Sequence, residues 1–264
     1  MRLTKEEEIS LGHFKDSIQT AYQRSIPVYS NFMSLREQEL AFRALEEFYG
    51  RPTEGTQYIL YGGYDEAERQ VICFLPPDGA WMPDKADFPI SCIKILPANK
   101  RFSDDLNHRD YLGTVMGLGL TREQIGDILV DAEAVAPVCY LFCINDKAEL
   151  IKDITRIKHT TVKAEEIDFH LSHWTQHYGD ITGSVSSHRL DAVLALSVRI
   201  SRGKALELIQ SGNVFLNGRG CTENAKKLEP GDIFSVRGYG RFRFEETGGQ
   251  SKKGRYSVLI KKYL

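Results

Sequence analysis

Ser201-Arg202-Gly203-Lys204 opens the stretch Ser201–Gln210, whose residue types fit a short amphipathic helix. At about 100° per residue, Ala205, Leu206 and Ile209 form one apolar stripe, and Lys204, Glu207 and Ser211 lie opposite it. Ser201 is a good N-cap. Arg202 projects toward the stripe side, but in the first turn it can still swing outward. Unpaired backbone N–H groups and the helix dipole favour an anion at such an end, and basic side chains beside it make a phosphate site. More cations fall nearby in sequence. Arg189 and Arg199 lie on or between two helices, Arg219, Lys226 and Lys227 flank the turn Asn217-Gly218, and Arg237, Arg241 and Arg243 follow. Arg forks onto phosphate, whereas Lys acts as a point charge. Tyr239 and Phe242 could add base stacking. If about 5–8 of these cations meet phosphates, log K falls by about 0.7–0.9 per contact for each tenfold rise in salt.

Other chemistries are weaker. The five cysteines (Cys73, Cys92, Cys139, Cys143, Cys221) contain no C-x-x-C pair, which argues against a disulfide framework or a structural zinc site. His170, His173 and His177 share one side of any helix through their segment, yet no acid or fourth ligand accompanies them, so polar linker residues are the better reading and no metal is expected. His108-Arg109-Asp110 looks like part of a kinase catalytic loop, but the glycine loop, strand lysine and Asp-Phe-Gly are missing. With Arg122 and Asp127, those residues make either a polar network or a second RNA surface, for which His108, Arg109 and Arg122 are the candidates. Gly117-x-Gly119 follows a helix and lacks a third glycine, so it is not a nucleotide fingerprint. No catalytic residue and no cofactor is expected.

These residues need elements to hold them. Glu6–Arg24 reads as a helix closed by Pro27, and a second helix starts at Ser34, with Glu37 at capping-box spacing, and ends by Gly50 and Pro52. Strand-like runs follow at Gln57–Tyr61, Gln70–Leu75 and Ile90–Leu96, with a loop through most of Trp81–Pro89. A second unit has helix His108–Leu118, a capping pattern at Thr121 and Gln124, strands Asp127–Val130 and Val135–Leu141, helix Asp146–Ile157 and strand Thr160–Ala164. That mixture fits a small ferredoxin-like or RRM-like unit. In the tail, Leu190, Val193, Leu194 and Ser197 share one helix face, and the Ser201 helix ends at Gly212. Val214–Leu216, Asp232–Val236, Arg241–Phe244 and Tyr256–Ile260 are strands, the first ending in the Asn217-Gly218 hairpin turn. The fold class is α+β, divided into an N-terminal α+β region (1–101), an RRM-like middle domain (102–168), a linker (169–184) and a C-terminal module (185–264) of two helices on a small twisted sheet.

Charge separates the ends of the chain. Residues 1–184 hold 19 Lys+Arg against 29 Asp+Glu, while residues 185–264 hold 15 against 7. Such asymmetry suggests that the tail meets a polyanion, most plausibly nucleic acid. No run of 18 apolar residues is present, which excludes a transmembrane helix, and the polar start without a signal-peptide core is read as cytoplasmic.

Arg189-Leu190-Asp191, then Ser201-Arg202-x-Lys204-Ala205-x-x-Leu208-Ile209-x-x-Gly212-x-Val214-x-x-Asn217, then Pro230-Gly231-Asp232 strongly resemble an S4 RNA-binding domain. That resemblance implies two helices packed on a small twisted sheet, with RNA gripped by the helix pair and the adjoining loop. His108-Arg109-Asp110-Tyr111-Leu112-Gly113, Gly117–Ile128 and the tail Val236-Arg237-Gly238-Tyr239-Gly240-Arg241-Phe242 are similar to the bacterial YlmH family, in a match spanning most of the chain after residue 100. Membership would imply an RRM-like middle domain and rRNA and tRNA as partners. It would also imply action on large ribosomal subunits that still hold peptidyl-tRNA, in quality control of stalled translation. A protein partner for the N-terminal region is a further expectation.

Arg237–Phe244 also resembles the RNP1 pattern of RRM domains, but Arg241 stands where an aromatic belongs. It is better read as a turn and an edge strand of the S4-like module. The rival class is an S4-targeted RNA-modifying enzyme. Pseudouridine synthases of that kind need Arg-Leu-Asp-x-x-Thr-Ser-Gly, whereas Arg189-Leu190-Asp191 continues as Ala-Val-Leu-Ala inside a helix. No glycine-rich methyltransferase loop is evident. A scaffold linked to cell division is the third alternative.

Overall fold

A helical hairpin starts the chain, in a computed structural model that describes residues 3–77, 83–131, 137–170, 174, 176–250 and 254–263. Helix α1 (Lys5–Arg24) is capped by Thr4, and α2 (Leu35–Tyr49) by Ser34, whose backbone N–H donates to Glu37 Oε2 at 2.7 Å. The short strand β1 (Val28–Tyr29) lies between them in sequence, and β2 (Tyr58–Tyr61) and β3 (Val71–Phe74) follow in a three-stranded antiparallel sheet of order β1-β3-β2. Strand alternation divides its side chains between two faces. Tyr58, Ile72 and Phe74 pack under α1 and α2, while Ile59, Val71 and Cys73 point the other way.

That other face meets a second sheet. Its strands are β4 (Ile90–Pro97), β5 (Ile125–Asp131), β6 (Val138–Ile144), β7 (Arg156–Ile157) and β8 (Thr160–Ile167), in the order β5-β6-β4-β8-β7, all antiparallel. Helix α3 (His108–Gly117) connects β4 to β5, and α4 (Ala148–Lys152) follows β6. Without the small strand β7 this is the βαββαβ arrangement of a ferredoxin-like or RRM-like domain, as expected. Its first strand, however, is β4, which hydrogen-bonds to both β6 and β8. The boundary placed at residue 101 therefore moves upstream, because sheet membership depends on pairing partners about fifty to seventy residues away. The expected helix Asp146–Ile157 is also shorter. It stops at Lys152, Ile154 is buried, and the chain turns into the β7–β8 hairpin, where β-branched Thr155 and Ile157 favour extended backbone. Residues 1–175 thus stack as helix, sheet, sheet and helix layers. Ile93, Ile95, Leu141 and Cys143 fill the space under α3 and α4, and Cys92, Tyr140 and Phe142 fill the space between the sheets.

Residues 176–264 form a separate compact unit. Strand β9 (Tyr178–Val185) leads into α5 (Leu190–Ser197) and α6 (Arg202–Gln210), followed by β10 (Val214–Leu216), β11 (Arg219–Gly220), β12 (Ile233–Val236), β13 (Gly240–Gln250) and β14 (Tyr256–Tyr263). The sheet order is β11-β10-β12-β13-β14-β9. Asn217 (φ 50°) and Gly218 (φ 78°) form the expected hairpin turn between β10 and β11. Two helices on one sheet agree with the S4 expectation. The linker assigned to 169–184 does not survive in its second half, since β9 pairs with β14 from Tyr178↔Tyr263 to Val185↔Tyr256 without a slip. Its Gly, Asp, Thr and Ser content reads as a linker because an edge strand with one wet face is largely polar. A Cβ at Gly183 would lie 2.7 Å from Leu196 Cδ1 of α5, so a side chain there would displace that leucine.

Candidate nucleic-acid interface

Two arginines are fixed on one buried carboxylate where α5 and α6 begin. Asp191, in the first turn of α5, is only 2% exposed. Its oxygens accept from Arg189 Nε (3.2 Å) and Nη2 (3.0 Å) and from Arg202 Nε (3.2 Å) and Nη2 (3.1 Å). A buried charge must be paired and hydrogen-bonded, and here both partners remain partly in water, with side-chain exposures of 38% and 47%. The guanidiniums are thereby held at the surface in a set orientation. Arg202, which the first turn allows to swing outward, does reach the surface and is anchored from behind. In the sequence Asp191 stands out only as part of the Arg-Leu-Asp motif. The available signal was an acid in the first turn of an otherwise apolar helix, two residues after an arginine.

The remaining members of the helix-pair surface are placed by capping and turns. Ser201 Oγ accepts from the Lys204 N–H at 3.2 Å, so Ser201 acts as the helix cap. Ala205 and Ile209 are buried as expected, and Leu208, rather than Leu206, joins them at the core edge. Lys204 is exposed, and Glu207 at 2.8 Å raises its ammonium pKa above the ordinary lysine value. Arg199, exposed and with φ 54°, occupies the turn between the helices. Lys226 and Lys227 arrive from the following loop, where Leu190 N–H donates to Lys226 O at 2.8 Å and Arg189 bridges Lys227.

Other candidates stand apart from this group. Asn217 is structural: its amide donates to Asp232 Oδ1 at 2.8 Å and its Oδ1 accepts from Ile233 N–H at 2.9 Å. Arg219 lies on the short strand β11, and Arg237 is in the β12–β13 turn, where its N–H donates to Asn213 O at 2.9 Å. Arg241 and Arg243 alternate with Phe242 and Phe244, which are buried beneath the helices, so the two arginines face the opposite side of the sheet. There Arg241 lies 4.6 Å from the Tyr263 ring and Arg243 lies 5.5 Å from the Tyr178 ring, and a hydrogen bond to Glu245 at 2.5 Å raises the Arg243 pKa. The RNP1-like string is thus a strand of this module, with Phe242 and Phe244 as core residues. The basic candidates divide between two sides of one sheet.

In the first unit, Asp127 accepts from Tyr64 Oη (2.8 Å), Glu68 N–H (2.8 Å) and Arg69 N–H (3.2 Å), which ties the second sheet to the first. Arg69 is buried and donates to the carbonyls of Phe32, Arg122 and Ile125; burial and the nearby Arg122 charge push its pKa down to about 10. Arg122 sits at this joint, and burial lowers its pKa as well. His108 and Arg109 are exposed at the start of α3, and His108 lies within reach of the Arg122 and Asp127 charges: partial burial and the Arg122 charge lower its pKa, against the opposing pull of Asp127. Among the described residues, no group of three or more His, Cys, Asp or Glu could hold a metal, and His173 lies outside them. No helix among the described residues is long and apolar enough to cross a membrane.

Two family models match the chain: "Putative RNA-binding domain in YlmH" over residues 83–171 and "S4 domain" over residues 188–234. The first begins near β4, where the sheet begins. The ribosome-associated protein quality control protein P2 of Bacillus subtilis (strain 168) is 31% identical over 253 residues, covering 94% of this chain and 91% of that protein. A solved structure, cell division protein ylmH from Streptococcus pneumoniae, is 23% identical and superposes with a TM-score of 0.49 over 66% of this chain and 96% of that one.

Proposed function

The chain belongs to the YlmH family of S4-domain proteins, and from that premise we propose that it binds rRNA and tRNA on the large ribosomal subunit, in quality control of stalled translation. The observation that carries this reading is the Asp191 clamp. It holds Arg189 and Arg202 at the surface beside Lys204, Lys226 and Lys227, so the cations are ordered before RNA arrives. Pre-ordered guanidiniums lose less entropy on docking and can fork onto phosphates of a folded RNA. Recognition is then by shape and phosphate geometry, with no covalent step. Arg199, Ser201, Asn217, Arg219, Arg237 and Tyr239 border or support this face, and Arg241 and Arg243 would meet RNA only from the far side of the sheet. The pseudouridine-synthase alternative needs its Asp in a loop that continues toward Thr-Ser-Gly, whereas Asp191 lies in the first turn of α5 and continues as Ala-Val-Leu-Ala.

The test is sedimentation of the tagged protein through sucrose gradients at two salt concentrations, with Arg202→Glu/Lys204→Glu alongside. Wild-type protein should travel with large subunits, less so at high salt, and the double variant should remain at the top. Because Arg202→Glu also uncovers the buried Asp191, Lys204→Glu/Lys226→Glu, which leaves the clamp intact, should weaken co-sedimentation with an unchanged melting curve. Undiminished co-sedimentation of the clamp-intact variant would remove this face from the binding surface. Wild-type protein at the top of both gradients would end the ribosomal assignment.

A further inference from the structure

RRM-type domains take RNA on the open face of the sheet, through aromatic residues of the central strands. In this chain that face is covered. Phe142 on β6 is 1% exposed and stacks on Tyr64 at 5.2 Å, with Phe169 edge-on at 5.1 Å; Tyr140 is 5% exposed between Phe169 and Trp174. Gly63 approaches Phe142 so closely that a Cβ would stand 2.3 Å from the ring, which leaves no room for a nucleobase. The Asp127 and Arg69 hydrogen bonds fasten the covering layer in place. An RNA surface on this domain must therefore lie elsewhere.

One end of the same sheet is basic although the unit around it is acidic. The loop after β4 and the β7–β8 hairpin are joined there. Ala98 N–H donates to Thr161 O at 2.8 Å, and Asp104 accepts from His159 N–H at 2.9 Å while its own N–H donates to Thr160 Oγ1 at 2.7 Å. Lys158, at the hairpin tip with φ 51°, reaches Asp110 of α3 at 2.7 Å, which brings the start of that helix to the same place. These loops expose Lys100, Arg101, Arg109, Arg156, Lys158 and Lys163. They are six of the 19 Lys and Arg that precede residue 185, all within residues 97–110 and 156–163. Against these six cations the two stretches hold three acids, Asp104, Asp105 and Asp110, so by sequence they carry a positive balance.

We propose that this loop end of the RRM-like domain is a second RNA-binding site that takes the phosphate backbone of structured RNA, in place of its covered sheet face. Six exposed Lys and Arg, with the exposed His108 and His159 beside them, make the site first of all one for phosphates. The inference rests on the RNA-binding reading above and adds to it a site distinct from the Asp191 clamp.

The test uses the full chain carrying Lys100→Glu/Arg101→Glu/Lys163→Glu, which leaves Asp104, Lys158 and Asp110 intact. Affinity is measured across a salt series for purified ribosomes and for total rRNA extracted from them. With an unchanged melting curve, the variant should bind both probes at least about tenfold more weakly, and the slope of log K against log salt should flatten by about 2–3, as expected for three lost contacts. An unchanged slope on rRNA overturns the inference. Weakening on ribosomes but not on rRNA also overturns it, assigning the patch to a protein partner. If wild type binds both probes and Arg202→Glu/Lys204→Glu abolishes binding while the loop variant is normal, this inference alone fails. Wild type binding neither probe removes both readings.

Discussion

Asp191 places a negative charge inside the most basic part of the chain, where simple electrostatics would oppose RNA. Its replacement by Asn separates two accounts of the surface. If net charge governed affinity, Asp191→Asn would tighten RNA binding, since it removes one anion from the face. If orientation of Arg189 and Arg202 governs it, binding weakens, by about tenfold for the loss of one charge-assisted network. The clamp geometry favours the second outcome, together with a loss of about 1–3 kcal/mol in stability from the unbalanced buried hydrogen bonds. Titration of extracted rRNA, with a thermal melt of the same samples, checks both. Ser201, Arg202 and Lys204 were legible because capping and helix phase are local properties. The role of Asp191 was not, because Arg202 reaches it only after the chain reverses between α5 and α6. The division of Arg241 and Arg243 from the helix-side cations was half legible. Alternation with Phe242 and Phe244 showed opposite faces, but not which face the helices cover.

Among elements, those with strong local signals stood where expected: the capped helices α1 and α2, helix α3, and strand β10 with the Asn217-Gly218 turn that follows it. Strand β4 also stands at the expected Ile90–Leu96, but the sheet it joins is decided by distant partners, and β9, expected as linker, is fixed by its distant partner β14 and lacks an apolar pattern. The run Val138–Ile144 is apolar throughout because both of its faces are buried, one under α3 and α4 and one against the first sheet. Packing between the sheets is close enough to test with a single methyl group. At Gly126 of β5 a Cβ would lie 2.6 Å from Phe32 Cε1 and 3.0 Å from Phe142 Cβ, whereas at Gly113 of α3 nothing lies within 4 Å. Gly126→Ala should cost about 1–3 kcal/mol by overpacking, and Gly113→Ala should gain about 0.5–1 kcal/mol from helix propensity. Opposite shifts in melting temperature would be diagnostic. Equal shifts would mean that the sheets are less closely packed than the geometry requires.

At the scale of the molecule, the C-terminal unit has a core of its own, drawn from Val185, the two helices, Leu228 and strands β10, β12, β13 and β14, with Ile181 of β9 packed against it. Residues 176–264 should therefore fold as an isolated fragment with a cooperative melt. A fragment starting at residue 185 loses all but the last residue of β9, exposes the β14 edge and should melt without cooperativity or aggregate. Circular dichroism melts of the two fragments check this, and equal cooperativity would mean that β9 is dispensable. By itself the sequence determined the α+β class, the charge asymmetry, the S4-like and YlmH-like motifs and the cap of the helix that bears the basic cluster. The class, the asymmetry and the cap rest on composition or on spacing within one or two turns of chain, and the motifs on their resemblance to known families. Tertiary structure decided that a buried acid orders two arginines, that the RRM-like sheet face is covered by the chain's own first sheet, and that basic loops gather at its end. Those outcomes depend on contacts between residues far apart in sequence, whose pairing no local period encodes.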